Sequence, residues 1–95
     1  MIGFELSVNG KIISAGLEHG VVSIIATKLS QEFTDSIDLD FTGLDTSQKG
    51  IEESIDWYRT KLKPGDVLTI NVKDIVINSS PLEIRKKNLD SENGL

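Results

Sequence analysis

Hydrophobic and polar positions alternate with a period of two over most of the chain and shift to a period near 3.6 in one stretch. Ile2, Phe4, Leu6 and Val8 alternate with Gly3, Glu5, Ser7 and Asn9, which predicts a half-buried strand. Asn9-Gly10 follows, two residues that accept positive φ, and predicts a type I′ hairpin turn. That turn sets Val8 opposite Lys11, Leu6 opposite Ile13 and Phe4 opposite Ala15. Phe4, Leu6, Val8, Ile13 and Ala15 then share one apolar face, while Ile12 falls beside Ser7 on the other and hints at partial cover there. A glycine-bounded loop over 16–20 leads to Val-Val-Ser-Ile-Ile-Ala-Thr-Lys-Leu at 21–29. Period alone fits this run to a buried strand or a helix, and its β-branched content favours the strand. A polar turn over 30–35 has Phe33 as a plug. Ile37, Leu39 and Phe41 then alternate with Asp38, Asp40 and Thr42, a second half-buried strand with two carboxylates on its outer side.

The period changes after residue 45. Ile51, Ile55, Tyr58 and Leu62 fall on one arc of a helix, with Glu52, Glu53, Asp56 and Arg59 pointing away. Asp45 and Gln48 have capping-box spacing, with Thr46 and Ser47 as alternative caps. Lys61 and Lys63 complement a C-terminal dipole, and Pro64-Gly65 stops the helix. Alternation resumes in Val67-Leu68-Thr69-Ile70-Asn71-Val72, a central strand. Ile75 and Ile77 have the opposite parity, so a bulge is expected at Lys73-Asp74. The pattern predicts an α+β fold in the order β-β-β-β-α-β, a mostly antiparallel sheet with one helix at about 47–62 packed on one face. Residues 1–85 make a single domain, with Leu82-Glu83-Ile84 as a short edge piece. Residues 86–95 form a polar, frayed C-terminal tail.

Composition narrows the function classes. Ninety-five residues hold one core and no second domain. The net charge of −5 argues against nucleic acid, whose phosphates are met by Lys and Arg. There is no cysteine, which excludes disulfides, thiolate zinc sites and cysteine nucleophiles and suits a reducing compartment. The first residues lack the basic and apolar regions of a secretory signal. The longest apolar-rich run, 21–26, falls far short of a membrane span. A cytoplasmic protein with no membrane contact is expected.

No motif predicts a catalytic residue, a cofactor or a metal. Asp38-Leu39-Asp40-Phe41-Thr42-Gly43 opens like an EF-hand loop, but the twelfth position, which needs a bidentate glutamate, holds Lys49. His19, the single histidine, sits in the glycine-bounded loop beside Glu18 and lacks a recognisable nucleophile, so a solvated side chain is expected over a general base. The loop also lacks the lysine and spacing of a phosphate loop. Arg85-Lys86-Lys87 reads as a solvated tail. Trp57 lies on the flank of the helical stripe near Gly50, Ser54 and Lys61. Folded over the sheet edge it would be structural; half-exposed, it would anchor a protein partner. The candidate partner-binding residues are Trp57, Asp38 and Asp40. The function expected is a non-catalytic protein-binding module of adaptor or immunity type, and an exposed sheet edge also invites a homodimer. The alternative is a small-molecule-binding domain or minimal enzyme with a pocket between helix and sheet, using Tyr58 and His19.

In their order, Asn9-Gly10-Lys11, Gly20-Val21-Val22-Ser23, Gly43-Leu44-Asp45, Trp57 and Leu62-Lys63-Pro64-Gly65-Asp66 resemble a group of short bacterial single-domain proteins without an assigned activity. The resemblance spans most of residues 2–78 and rests on turns and packing positions. It implies a compact, bacterial, cytoplasmic domain and carries over no functional residue.

Overall fold

The computed structural model describes residues 1–89. Among these residues seven strands follow one another: β1 (Ile2–Val8), β2 (Lys11–Gly16), β3 (Gly20–Ser30), β4 (Asp35–Asp45), β5 (Ile51–Leu62), β6 (Leu68–Asp74) and β7 (Glu83–Asn88). They form two antiparallel sheets, one of three strands in the order β2-β1-β6 and one of four in the order β3-β4-β5-β7. The architecture is all-β. The α+β expectation fails at one place: the stretch expected to be a helix at about 47–62 is largely strand β5, and a second sheet covers the core where a helix was expected.

The first hairpin forms as its pattern dictates. Asn9 and Gly10 take φ of 49° and 91°, and Val8 pairs with Lys11, Leu6 with Ile13 and Phe4 with Ala15. Leu6, Val8, Ile13 and Ala15 are buried, and Phe4 packs against them. Leu39 and Phe41 of β4 and Ile55 and Trp57 of β5 supply the other half of the core. Lys11 Nζ lies 5.0 Å from the centre of the Tyr58 ring, a cation–π contact reaching from one sheet to the other.

A β-bulge explains why β5 imitates a helix. Phe41 pairs with Tyr58 but the next residue, Thr42, pairs with Asp56, so Trp57 is an extra residue in the ladder. Parity reverses there. Ile51, Glu53 and Ile55 share a face before the bulge, and Tyr58, Thr60 and Leu62 continue that face after it. The apolar spacing of four, three and four residues along Ile51, Ile55, Tyr58 and Leu62 is therefore a strand pattern interrupted once. The supposed helix caps do other work. Asp45 Oδ1 accepts the Ser47 N–H at 2.8 Å, a local side-chain turn. Gln48 O accepts the Ile51 N–H at 3.2 Å in a turn that holds Gly50 at φ 78°, outside the helical region. Pro64-Gly65 stops no helix; it makes the β5–β6 turn, closed by Asp66 N–H donating to Lys63 O at 3.0 Å.

Four further expectations are corrected. β6 pairs with β1 in one unbroken register from Val8↔Leu68 to Ile2↔Asp74, so Lys73-Asp74 carries no bulge, and β6 is an edge strand, not a central one. The odd parity of Ile75 instead marks where the chain leaves the ladder. Ile75 is buried beside Gly3, its Cγ1 2.8 Å from where a Cβ on that glycine would sit, whereas Val76 and Ile77 are exposed. Phe33, 88% exposed at the tip of the β3–β4 hairpin, plugs nothing. β7 runs to Asn88, past the boundary placed at residue 85; the rest of the expected tail, 90–95, lies outside the described residues.

Between the sheets, residues 75–82 cross as a strap. Ser79 N–H donates to Ser14 O at 2.7 Å, and Ser14 N–H donates to Ser79 Oγ at 2.9 Å. Asn78 brackets Gly16, accepting its N–H and donating to its carbonyl, both at 2.9 Å. The strap thus pairs the outer edge of β2. Leu82 N–H then donates to Asp56 O at 2.7 Å and delivers the chain to β7.

Candidate functional site

The chemistry-bearing side chains gather on the outer face of the four-stranded sheet. The register places Asp40 of β4 opposite Arg59 of β5 and Asp38 opposite Lys61. Arg59 Nε donates to Asp40 Oδ1 and Lys61 Nζ to Asp38 Oδ1, each at 2.8 Å. Arg59 also reaches Asp56 Oδ2 at 3.5 Å, and Arg85 of β7 donates to the same oxygen at 3.0 Å and to Glu83 Oε2 at 2.9 Å. Asp40, Arg59, Asp56, Arg85 and Glu83 thus form one chain of charge across three strands. The hydrogen bond to Asp40, with the Asp56 charge behind it, raises the pKa of Arg59 above its ordinary value. The bond to Asp56 does the same for Arg85. Asp56 is the buried member, its side chain 6% exposed, and its two cations satisfy the requirement that a buried charge be paired.

Beside this ladder lies an open depression of about 400 Å³, lined by Thr27, Asp38, Asp40 and Arg59. Val21, Ile25 and Leu29 of β3 lie on the same face, at its edge, and each is at least half exposed. The result is an open surface of paired charges bordered by an apolar strip.

Of the three residues singled out from sequence, Asp38 and Asp40 fall together on this surface. Trp57 does not join them. Its indole is 3% exposed, with its ring centre 5.6 Å from that of Phe41 and the planes tilted by 60°. It lies over Gly43, where an added Cβ would come within 2.6 Å of the indole Cζ3. The half-exposed position on a helix flank goes with the helix, and Trp57 belongs to the core. Arg59, Arg85 and Asp56 read in sequence as an ordinary solvated face and tail. The signal that finds them is the strict outward parity of Glu52, Ser54 and Asp56, then Arg59 and Lys61, on either side of one break.

The pocket expected between helix and sheet has no counterpart, because residues 51–62 are a strand. Its two polar members are also apart. Tyr58 pairs with Phe41, whereas the carbonyl of His19, an exposed residue, accepts the Thr46 N–H beyond the far end of β4. Four residues of strand, roughly 13 Å, separate Phe41 from Asp45. Hydrogen bonds from the side chain and the backbone of Ser47 to the Asp45 carboxylate hold its pKa below the ordinary value. Among the described residues no group of three or more His, Cys, Asp or Glu side chains is placed to hold a metal ion.

No family model, curated protein or solved structure matches the chain. The surface must therefore be read from its own geometry. Among the described residues no helix is long and apolar enough to cross a membrane.

Proposed function

We propose that the chain is a non-catalytic, cytoplasmic protein-binding module whose partner lies on the outer face of the four-stranded sheet, over Asp38, Asp40, Arg59 and Lys61. The observation that carries the reading is the juxtaposition on one open face of exchangeable ion pairs and the exposed strip Val21, Ile25 and Leu29. The pairs are cheap to redirect. Exposed ion pairs contribute roughly 0–1 kcal/mol, so a partner carboxylate can draw Arg59 away from Asp40 at little cost. A partner cation can likewise take Asp38 from Lys61. The buried Asp56 keeps Arg85 during such an exchange and is never left bare. Apolar side chains at the border supply the contact area that paired charges lack. The absence of cysteine suits the reducing interior of a cell.

The test is capture from a lysate of the source organism on immobilised wild-type protein and on the Asp38→Lys/Asp40→Lys variant. Both positions are on the outer face, so circular dichroism should report an unchanged fold. A partner retained by the wild type and lost by the variant supports the surface. An identical set of retained proteins removes it.

A further inference from the structure

The four sheet edges are treated differently by the fold. β2 is paired by Asn78 and Ser79 of the strap. β7 is short and carries Arg85, Lys86 and Lys87, a common protection of an edge. β6 has seven residues and ends in Lys73 and Asp74, the latter 2.6 Å from the amino group of Met1. β3 has eleven residues and one charge, Lys28, and among the described residues its single neighbour is β4. Its other side offers a long row of backbone donors and acceptors, flanked on the outer face by the exposed Val21, Ile25 and Leu29. Such an edge is a template for another strand.

We propose that β3 pairs antiparallel with β3 of a second copy of this chain, about a two-fold axis through Ile25, to make one continuous eight-stranded sheet. A two-fold axis perpendicular to the sheet keeps each face on its own side, so residues of like parity must oppose and the register must centre on a residue. Only the register centred on Ile25 pairs all eleven residues, Gly20 with Ser30 and so on inward. The same register matches like with like. Ile25 meets its own copy, Val21 meets Leu29, and Ser23 meets Thr27. On the opposite face Ile24 meets Ala26, and the Lys28 stem lies along Val22 with its ammonium free to reach water. Within Gly20–Ser30 no like charges oppose. Moving the centre to Ile24 sets Ser23 against Ile25 and Val21 against Thr27. Moving it to Ala26 sets Ser23 against Leu29. Both lose the match and shorten the ladder. The inference shares the strip of Val21, Ile25 and Leu29 with the partner surface proposed above but uses none of its ion pairs, so the Asp38→Lys/Asp40→Lys variant should remain a dimer even where that surface is lost.

The chain has no cysteine, so a single introduced thiol reports the axis. On the axis, two residues directly opposite have Cα atoms about 4.5–5.5 Å apart, within the range a disulfide spans. Ile25→Cys should therefore form a disulfide-linked dimer on mild oxidation. Thr27→Cys should not, because its copy lies four residues away along the strand, roughly 13 Å. Sedimentation of the wild type at high micromolar concentration should give twice the chain mass. Ile25→Lys, which sets two ammonium groups face to face, should give a folded monomer by sedimentation and circular dichroism. A monomeric wild type, a dimer that survives Ile25→Lys, or cross-linking at residue 27 as fast as at residue 25 would each overturn the proposal. If Ile25→Lys fails to fold, the two cysteine variants decide it.

Discussion

Trp57→Ala separates the bulged-strand architecture from a helical one more sharply than any other substitution. In the structure the indole is 3% exposed, packed at a tilt against Phe41 and seated over Gly43. A buried aromatic of this size removes about 150–250 Å² from water, which at ~25 cal/mol per Å² corresponds to about 4–6 kcal/mol. The tilted pair with Phe41 adds ~1 kcal/mol, while partial collapse of the cavity and a compact unfolded state reduce the net. A loss of about 4 kcal/mol is expected, within the ~3–5 kcal/mol typical of large aromatic truncations. The measurement is urea denaturation followed by far-ultraviolet circular dichroism, since the variant has no tryptophan to report. With a slope of roughly 2 kcal/mol per molar, the midpoint should fall by about 2 M. Trp57→Phe, which keeps a ring on Phe41, should lose less. The wild-type fluorescence should be blue-shifted and move to the red on unfolding. A loss below ~1 kcal/mol for Trp57→Ala, or red-shifted native emission, would refute the buried indole and the bulge that turns it inward.

Three other outcomes follow from the same geometry. Gly43→Ala places a Cβ within 2.6 and 2.7 Å of two indole carbons, so the ring must shift; a loss of about 1–3 kcal/mol by denaturation is expected, and a neutral result would mean the indole does not lie there. Arg59→Ala and Arg85→Ala should each change stability little, because Asp56 keeps one cation in either case. The double variant should exceed the sum by about 1–2 kcal/mol, as the buried carboxylate is left bare, and additivity would dissolve the network. The Asp66 carboxylate accepts the Lys63 N–H and, secondarily, an Asn9 N–H, which hold its pKa below the ordinary 3.8. A depressed native value stabilises the fold above the unfolded value, and that contribution is lost as pH falls through the native one. The stability gap between wild type and Asp66→Asn should therefore be present at neutral pH and close below 3.8, whereas a gap independent of pH would remove the charge from the account.

Which parts of this fold the sequence disclosed depends on where one residue of register was gained or lost. The hairpin β1–β2 has an uninterrupted parity and a turn dipeptide that permits a single register, so even its cross-strand pairs follow from the residues. β4 is equally plain, because Ile37, Leu39 and Phe41 alternate without a break. β5 contains the same alternation on each side of Trp57, but one inserted residue converts two half-patterns of period two into spacings of four, three and four, which a helix also satisfies. Gly50 and the residues of β5 itself carry the counter-evidence. Gly50 sits one position before the first apolar residue, where a turn into a strand wants positive φ, and Ile51, Ile55, Trp57, Tyr58 and Thr60 are all strand formers. The parity change at Lys73-Asp74 was visible too, but a bulge and a strand end leave the same mark in sequence. The strap that makes it an end is fixed by long-range bonds, from Asn78 and Ser79 to β2, from Ile75 to Met1 and from Leu82 to Asp56.

The surface was half legible for a related reason. Asp38 and Asp40 stand out as carboxylates on the polar side of a strand, and nothing local says whether they face water, a partner or the next strand. The answer lies in β5. Once Trp57 is counted as an extra residue, Arg59 and Lys61 come opposite Asp40 and Asp38, and with the residue uncounted they come opposite the apolar side. The bulge thus sets both the core and the outer face: it turns the indole inward over Gly43 and, in the same step, brings two cations into register with two anions. A deletion of Trp57 should accordingly empty a core position while leaving the pairs on either side of it in register. Residues 58–62 keep their faces, with Arg59 and Lys61 still opposite Asp40 and Asp38, so the loss should stay near the ~3–5 kcal/mol of a large aromatic truncation by urea denaturation. Deleting Thr60, a paired residue, would instead turn Lys61 inward and Leu62 outward.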